Sequence, residues 1–393
     1  MKETNFKETV VGLIPLDWEV TALGTVADEY GYGVGAEAIP FNGYDKYIRI
    51  TDIDDENGQF EPSPITSPAY FSDAHVVKEN DLLIARTGAS VGKTYLYNPS
   101  DGKLIYAGFL MKVNIKKADS RFIFYKTKSA YYKNWVLQES ARTGQPGINL
   151  EQIKTLKFSL PPTLAEQRRI AAALSDIDNL ITSLDALIAK KQAIKQGSMQ
   201  QLLTCKTRLE GFKDDWVLKE LKHICFRYDN LRVPVSENLR KKGSTPYYGA
   251  NGIQDYVEGY THDGEFVLVA EDGANSLTDY PIRYVNGKIW VNNHAHVLQG
   301  KDGITDNKFL SYALKTIDFE SNIVGCGRAK LNSETMMNLL LYYPPSISEQ
   351  HAIAEILSDM DVEIETLQQK RNKYAAIKDG MMQQLLTGKI RLI

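Results

Sequence analysis

One feature constrains this chain more than any other: it repeats itself at a fixed offset of 183 residues. Residues 161–209 begin PPTLAEQRRIAAALSDID and end IKQGSMQQLLTCKTRL; residues 344–392 begin PPSISEQHAIAEILSDMD and end IKDGMMQQLLTGKIRL. Aligned without gaps, 26 of the 49 positions are identical. The register extends upstream, where Gly144, Asn149 and Glu151 fall on Gly327, Asn332 and Glu334. A weaker echo pairs Trp18 with Trp216 at an offset of 198, so the intervening segments differ in length. Two copies with so long a period exclude a solenoid. The chain is two half-molecules, each a variable segment followed by a constant one. The boundaries fall at 1–160, 161–209, 210–343 and 344–393.

The constant segments read as long helices. Thr163 and Ser346 follow Pro-Pro pairs, with Glu166 and Glu349 three residues later, a capping-box spacing. Apolar residues then step by four and three: Ile170, Leu174, Ile177, Ile181, Leu184 and Ile188, and again Ile353, Leu357, Met360, Ile364 and Leu367. That 3.5-residue seam is the coiled-coil signature. A helix from Thr163 to Thr204 would run roughly 60 Å. Gly388 suits the end of the second copy. Two matching helices with narrow seams predict an antiparallel pair with internal pseudo-twofold symmetry. The variable segments hold short β-rich runs bounded by turn residues: 81–85, 93–97, 266–270 and 288–291. The expected fold class is α+β, two globular mixed α/β domains joined by two long antiparallel helices.

Composition narrows the function. The chain has 393 residues, is 43% hydrophobic and carries a net charge of -3, which suits a soluble folded protein. No apolar run reaches the roughly 18 residues of a spanning helix, and the basic-then-apolar start of a signal peptide is missing, so a cytoplasmic location is expected. Three scattered cysteines form neither a disulfide framework nor a CxxC metal pair. Slight acidity is unusual for a nucleic-acid partner, but the charge is segregated. Residues 45–81 hold 3 basic and 9 acidic side chains, whereas 103–133 hold 8 basic and one acidic. The second half repeats the order: 255–279 hold 7 acids and no Lys or Arg, and 283–330 hold 7 basic and 4 acidic. A basic stretch in each half, aromatic-rich in the first, predicts two polyanion-binding surfaces.

Sequence motifs supply no active site. LLIARTGASVGKT at 82–94 ends Gly88-x-x-x-Gly92-Lys93-Thr94, one residue short of a phosphate-binding loop, with Thr87 where its first glycine belongs. A tight glycine turn between strands is expected instead, its polar residues open to a phosphodiester backbone. His294 and His296 alternate in WVNNHAHVL without a third metal ligand in view, so hydrogen-bonded roles are expected.

The ordered set IPLDWEV, LLIARTGASVGKT, GQPGINLEQIKTLKFSLPPTLAEQRRI, YYGANGIQDY, WVNNHAHVL and PPSISEQHAIAEILSDMD, together with the repeat, resembles the specificity (S) subunit of type I DNA restriction–modification enzymes. The resemblance runs across nearly the whole chain. It implies that each variable segment is a target recognition domain reading one half of a bipartite, asymmetric site on double-stranded DNA. It implies that the helices set the spacer. It implies a non-catalytic chain, without cofactor or metal, that recruits two methyltransferase subunits using S-adenosylmethionine and restriction subunits using ATP with Mg, in defence against foreign DNA. A related type II or methylation-only system would have much the same specificity subunit, and a coiled-coil scaffold without DNA recognition is the other alternative. For base reading, Arg to guanine and Asn or Gln to adenine are the natural pairings. Base-reading candidates are Arg86, Arg142 and Gln145 in the first domain and Asn251, Arg283 and Arg328 in the second. Further DNA-contact candidates are Thr87, Lys93, Thr94, Lys112, Lys116, Lys117, Tyr248, His294 and Lys330.

Overall fold

The computed structural model describes residues 5–141, 145–322 and 330–393. Arg142 and Arg328 lie outside the described residues. The chain divides into two compact units, one of residues 1–185 with 369–393 and one of residues 186–368. Each unit therefore joins one variable segment to parts of both constant segments.

The constant segments form helices Leu164–Leu202 and Ile347–Leu385, 39 residues each, or roughly 58 Å at 1.5 Å per residue. The hydroxyls of Thr163 and Ser346 accept the amide hydrogens of Glu166 and Glu349, as a capping residue should. The reciprocal half of the expected capping box is replaced, because Glu166 pairs with Arg391 and Glu349 with Arg208. Of the eleven seam positions, Ile170, Leu174, Ile177, Leu184, Ile188, Ile353, Leu357 and Ile364 are buried; Ile181, Met360 and Leu367 are half-buried. The seam is not purely a helix–helix contact. Ile170 and Leu174 join the first domain core with Leu385 and Leu386, and Ile353 and Leu357 join the second with Leu202 and Leu203.

Ion pairs give the helix direction inside each unit. In the first, Asp178 meets Lys378 at 2.5 Å and Asp185 meets Arg371 at 3.0 Å. In the second, Lys191 meets Glu363 at 2.7 Å and Lys195 meets Asp361. As numbering rises on one helix it falls on the other, so the segments are antiparallel in both units.

The first variable segment builds an antiparallel four-stranded sheet in the order Ala27–Tyr32, Leu110–Ile115, Asp81–Ala85, Thr94–Leu96. Asp81–Ala85 is buried at every position, as expected of an apolar run covered on both faces. The second builds a six-stranded sheet: Cys225–Arg227, Ala295–Gly300, His262–Ala270, Ile282–Val291, Lys242–Gly249, Gly252–Val257. One ladder in it, Lys242–Gly249 with Ile282–Val291, is parallel. The sheets differ, but the junctions to the helices match. Strand Lys157–Leu160 pairs antiparallel with Glu19–Ala22, and Leu340–Tyr343 with Val217–Glu220. Asp119 and Asp306 cap helices Ser120–Lys126 and Asn307–Ala313. Their own backbone amides donate to the carboxamides of Gln167 and Gln350 at 2.9 and 2.8 Å. Gln167 and Gln350 occupy the same place in the repeat, and each also donates to the carbonyl of the first proline, Pro161 or Pro344.

Candidate nucleic-acid interface

In the first unit the polar candidates divide between surface and interior. Arg86 leaves the end of strand Asp81–Ala85 with its guanidinium 4.8 Å above the Tyr32 ring, a cation–π contact that fixes the side chain while leaving it part-exposed. Its amide donates to the carbonyl of Phe109 at 3.0 Å, and its carbonyl accepts from Ile148 at 2.9 Å. Thr87 bridges Gly147, and the Gly88 amide donates to Pro146. These bonds bring 86–88 against 145–148 and place the exposed Gln145 beside Gly88. Phe109, 65% exposed, joins them. It escaped the sequence reading, although a large apolar residue in the three-residue connection between buried strands Leu104–Tyr106 and Leu110–Ile115 breaks the burial pattern.

The glycine motif is a turn joining antiparallel strands, as expected. Gly88 and Gly92 take φ of +80° and +83°, and the Gly92 amide donates to Ala85 at 2.8 Å. A Cβ on Gly92 would sit 2.7 Å from Val136, so only glycine fits.

Three contact candidates are corrected. Thr94 is 1% exposed and its hydroxyl shares a 2.8 Å hydrogen bond with Thr127. Lys112 is buried beside Asp81, the carboxyl of which burial pushes up. Lys93 donates to the Ile53 carbonyl at 3.0 Å and pairs with Asp55 at 2.5 Å. Such side chains hold the domain together and offer no free donor to a phosphate. Lys116 and Lys117 are exposed but follow the far end of strand Leu110–Ile115, roughly 20 Å of strand from the Arg86 end. The basic stretch 103–133 is therefore not one solvated face: Lys126 is buried, and Phe122, Tyr125 and Tyr132 are core residues.

In the second unit the candidates gather around the turn Gly249–Gly252. Gly252 has φ +124°, and the Arg283 guanidinium lies 3.1 Å from where its Cβ would stand. Arg283 donates to the Asn251 carbonyl at 3.2 Å and is otherwise exposed. Tyr248 is half-buried, and burial raises its hydroxyl despite Arg283. Asn251 is corrected as a base reader: its Nδ2 donates to Gly273 at 2.9 Å and its Oδ1 accepts from Asn275 at 3.0 Å. Both arms of the carboxamide are used to hold a neighbouring loop.

The histidines separate. His294 is part-exposed and faces Asp272. His296 is buried, with Nδ1 2.7 Å from Asp229 and Nε2 2.8 Å from the Leu331 carbonyl, a structural role. Asp229, Glu271 and His296 stand close enough to share a metal ion, a grouping that their sequence separation hid. Cations already face both acids: Arg232 lies 2.7 Å from Glu271 and 3.6 Å from Asp229, and Lys330 lies 3.1 Å from Glu271. Burial works to raise both carboxyls, but hydrogen bonds from His296 to Asp229 and from Arg232 and Lys330 to Glu271 hold them net below the usual range. The cluster is a compensated ion network, and it commits Lys330 to the protein's interior charges.

Comparison with known proteins agrees with the twofold layout. The family model described as "Type I restriction modification DNA specificity domain" matches twice, at residues 15–196 and 213–374. A putative type I restriction enzyme specificity subunit of Haemophilus influenzae is 46% identical over 149 residues, 38% of each chain. The putative MjaX specificity subunit of Methanocaldococcus jannaschii is 28% identical over all of this chain and 98% of its own length. Among solved structures, the S subunit of a type I restriction–modification system from M. genitalium shares the fold with a TM-score of 0.70 at 18% identity, covering 98% of this chain and 97% of that one. With both halves matched over most of their length, this chain belongs to the type I restriction–modification DNA specificity family and is one of its specificity subunits.

Proposed function

We propose that each unit reads one half of a bipartite site on double-stranded DNA and that the helix pair sets the spacer between the halves. The repeated junction carries this reading. The same Asp–Gln–Pro bonds attach two unlike sheets to equivalent places on the helices. A constant frame holding two different readers is what an asymmetric target requires. Phosphate contacts position such a reader and base-edge contacts specify. Arg86, Gln145 and the exposed Phe109 form the first reading group, and Arg283 with Tyr248 forms the second. Half-sites on one face of a duplex recur every 34–36 Å or so, a span that helices of roughly 58 Å can bridge.

The chain itself performs no catalysis in this reading. Its equivalent helix surfaces recruit two methyltransferase subunits, which supply S-adenosylmethionine chemistry on adenine. Restriction subunits driven by ATP with Mg join them to cleave unmethylated foreign DNA in the cytoplasm. The test is genome-wide mapping of methylated adenines in a host expressing the chain with its methyltransferase. One bipartite motif is expected, and exchanging residues 210–343 for those of a relative should change one half of it. A change in both halves would falsify the two-reader model.

A further inference from the structure

The halves also differ in a cleft that DNA reading does not use. In the first unit a cleft of about 370 Å³ is lined by Ile14, Phe158, Met382 and Leu386 as apolar walls. Lys126 is part of its lining, 6% exposed, with Nζ 2.6 Å from the Ser159 hydroxyl and 2.6 Å from the Leu386 carbonyl. The rings of Trp18 and Phe122 lie 5.5 Å away. Buried lysines are normally paired with an acid, and this one has no carboxylate partner among the described residues. Two acceptors also leave one of its three N–H donors over. Among the ion pairs of the described residues, none joins Asp379, which lines the cleft, to Lys126 or to Lys128, which lines it too. Helix Ala130–Ser140 begins at the same wall. Ser129 caps the Tyr132 amide, while the amides of Ala130 and Tyr131, in the first turn, have no acceptor within the helix. Burial pushes the Lys126 ammonium down to about 7, the mark of a cation lacking its counter-charge. Strands Phe6–Thr9 and Gly12–Pro15 form a hairpin, and its residues Val10 and Leu13 are 71% and 63% exposed beside the cleft, whose lining includes Val11 and Leu13. In the second unit, Ala313 and Tyr342 replace Lys126 and Ser159.

We propose that this cleft binds a carboxylate carried on an apolar body, with the Lys126 ammonium as its counter-ion and the hairpin and helix-end walls taking the apolar part. The second half has no lysine at the equivalent place to form its own. The carboxylate comes from a free aliphatic acid or from an acidic side chain flanked by apolar residues in a peptide.

Calorimetric titration of the full chain, slightly below neutral pH, tests this with octanoate, with octanol and with the blocked tripeptide acetyl-Leu-Glu-Leu-amide. One carboxylate per chain is expected, with octanol at least tenfold weaker. Tighter octanoate assigns a free acid as the source; a tighter tripeptide assigns an acidic segment. Lys126→Met should weaken the carboxylate at least tenfold. Met382→Trp, which fills the cleft and keeps the ammonium, should do the same. Octanol binding as well as octanoate, unchanged binding by Lys126→Met, or no saturable binding of either carboxylate overturns the proposal.

Discussion

The two units solve one attachment problem with the same residues and then depart from each other where the repeat ends. Asp178 and Asp361 are repeat equivalents, as are Lys378 and Lys195. In the first unit Asp178 accepts from the Tyr125 hydroxyl at 2.7 Å and meets Lys378; in the second Asp361 accepts from Tyr312 at 2.6 Å and meets Lys195. Each tyrosine belongs to a variable segment, six residues after the aspartate that caps its helix, so the matched joint extends beyond the constant segments. The second shared device is an arginine from the tail of a constant segment. Arg391 grips Glu166, and its equivalent Arg208 grips Glu349. What differs is their surroundings. Glu349 also accepts from Trp216 Nε1 at 3.2 Å, while Trp18 Nε1 is buried without a partner. Arg391 instead takes Asp17 as a second acid. The constant segments thus fix where a domain attaches, and each domain adapts its side of the joint.

The largest expected difference between the halves is electrostatic and belongs to Lys126, which has no counterpart in the second unit. Its ordinary value is 10.5, and in the folded protein it is about 7. Below about pH 7 the ammonium is charged in both states and its burial cost is fully present. Between about 7 and 10.5 the unfolded chain holds more protons than the folded one, so stability rises with pH, at up to about 1.4 kcal/mol per unit. Lys126→Met should remove its share of that slope, leaving the share of Lys128, which burial pushes down to about 8, and should raise stability at neutral pH, as apolar replacement of buried charge often does. Urea midpoints of wild type and variant across this window measure it; parallel curves would show that the ammonium is not buried.

The arginine clamp comes next. Arg391→Ala leaves the buried Glu166 unpaired and frees Asp17, with an expected cost of about 3 kcal/mol. Arg208→Ala should cost less, because Trp216 still donates to Glu349. Equal losses in denaturant titrations would mean that the tryptophan bond contributes nothing. The tyrosine–aspartate–lysine joint ranks third. The Asp178 side chain is 18% exposed and that of Asp361 is 44%. Alanine should therefore cost about 2 kcal/mol at Asp178 and about 1 at Asp361, since solvent screens the more open pair. Reversed order would place the better-formed joint in the second unit.

Much of this frame was legible in the sequence. Spacing alone placed the helices within a few residues, because a repeat confirms its own periodicity and Thr163 and Ser346 carry capping chemistry. The glycine turn at 88–92 was legible for the same reason: its φ values are a local demand. The interface was less so. Lys93, Thr94 and Lys112 are polar residues used internally, and the bonds that consume them come from Ile53, Asp55, Thr127 and Asp81, each fixed by tertiary packing. Phe109 shows the converse, an apolar residue expelled by a short connection. The ion network around Glu271 gathers residues from 229 to 330 that no local pattern links.

The smallest expected effect separates a reader from a support. Gln145 is exposed beside Arg86, whereas the Asn251 carboxamide is consumed by Gly273 and Asn275. Gln145→Ala should relax discrimination at a single base pair of one half-site, a penalty of about 1 kcal/mol. Asn251→Ala loosens the 273–275 loop and should weaken binding by a similar amount across all targets, without altering which base is preferred at any position. Methylation rates on a panel of singly substituted sites, measured with the assembled complex, distinguish the two profiles. A single-position change from Asn251→Ala would return that residue to the reading surface and move the loop contact from support to recognition.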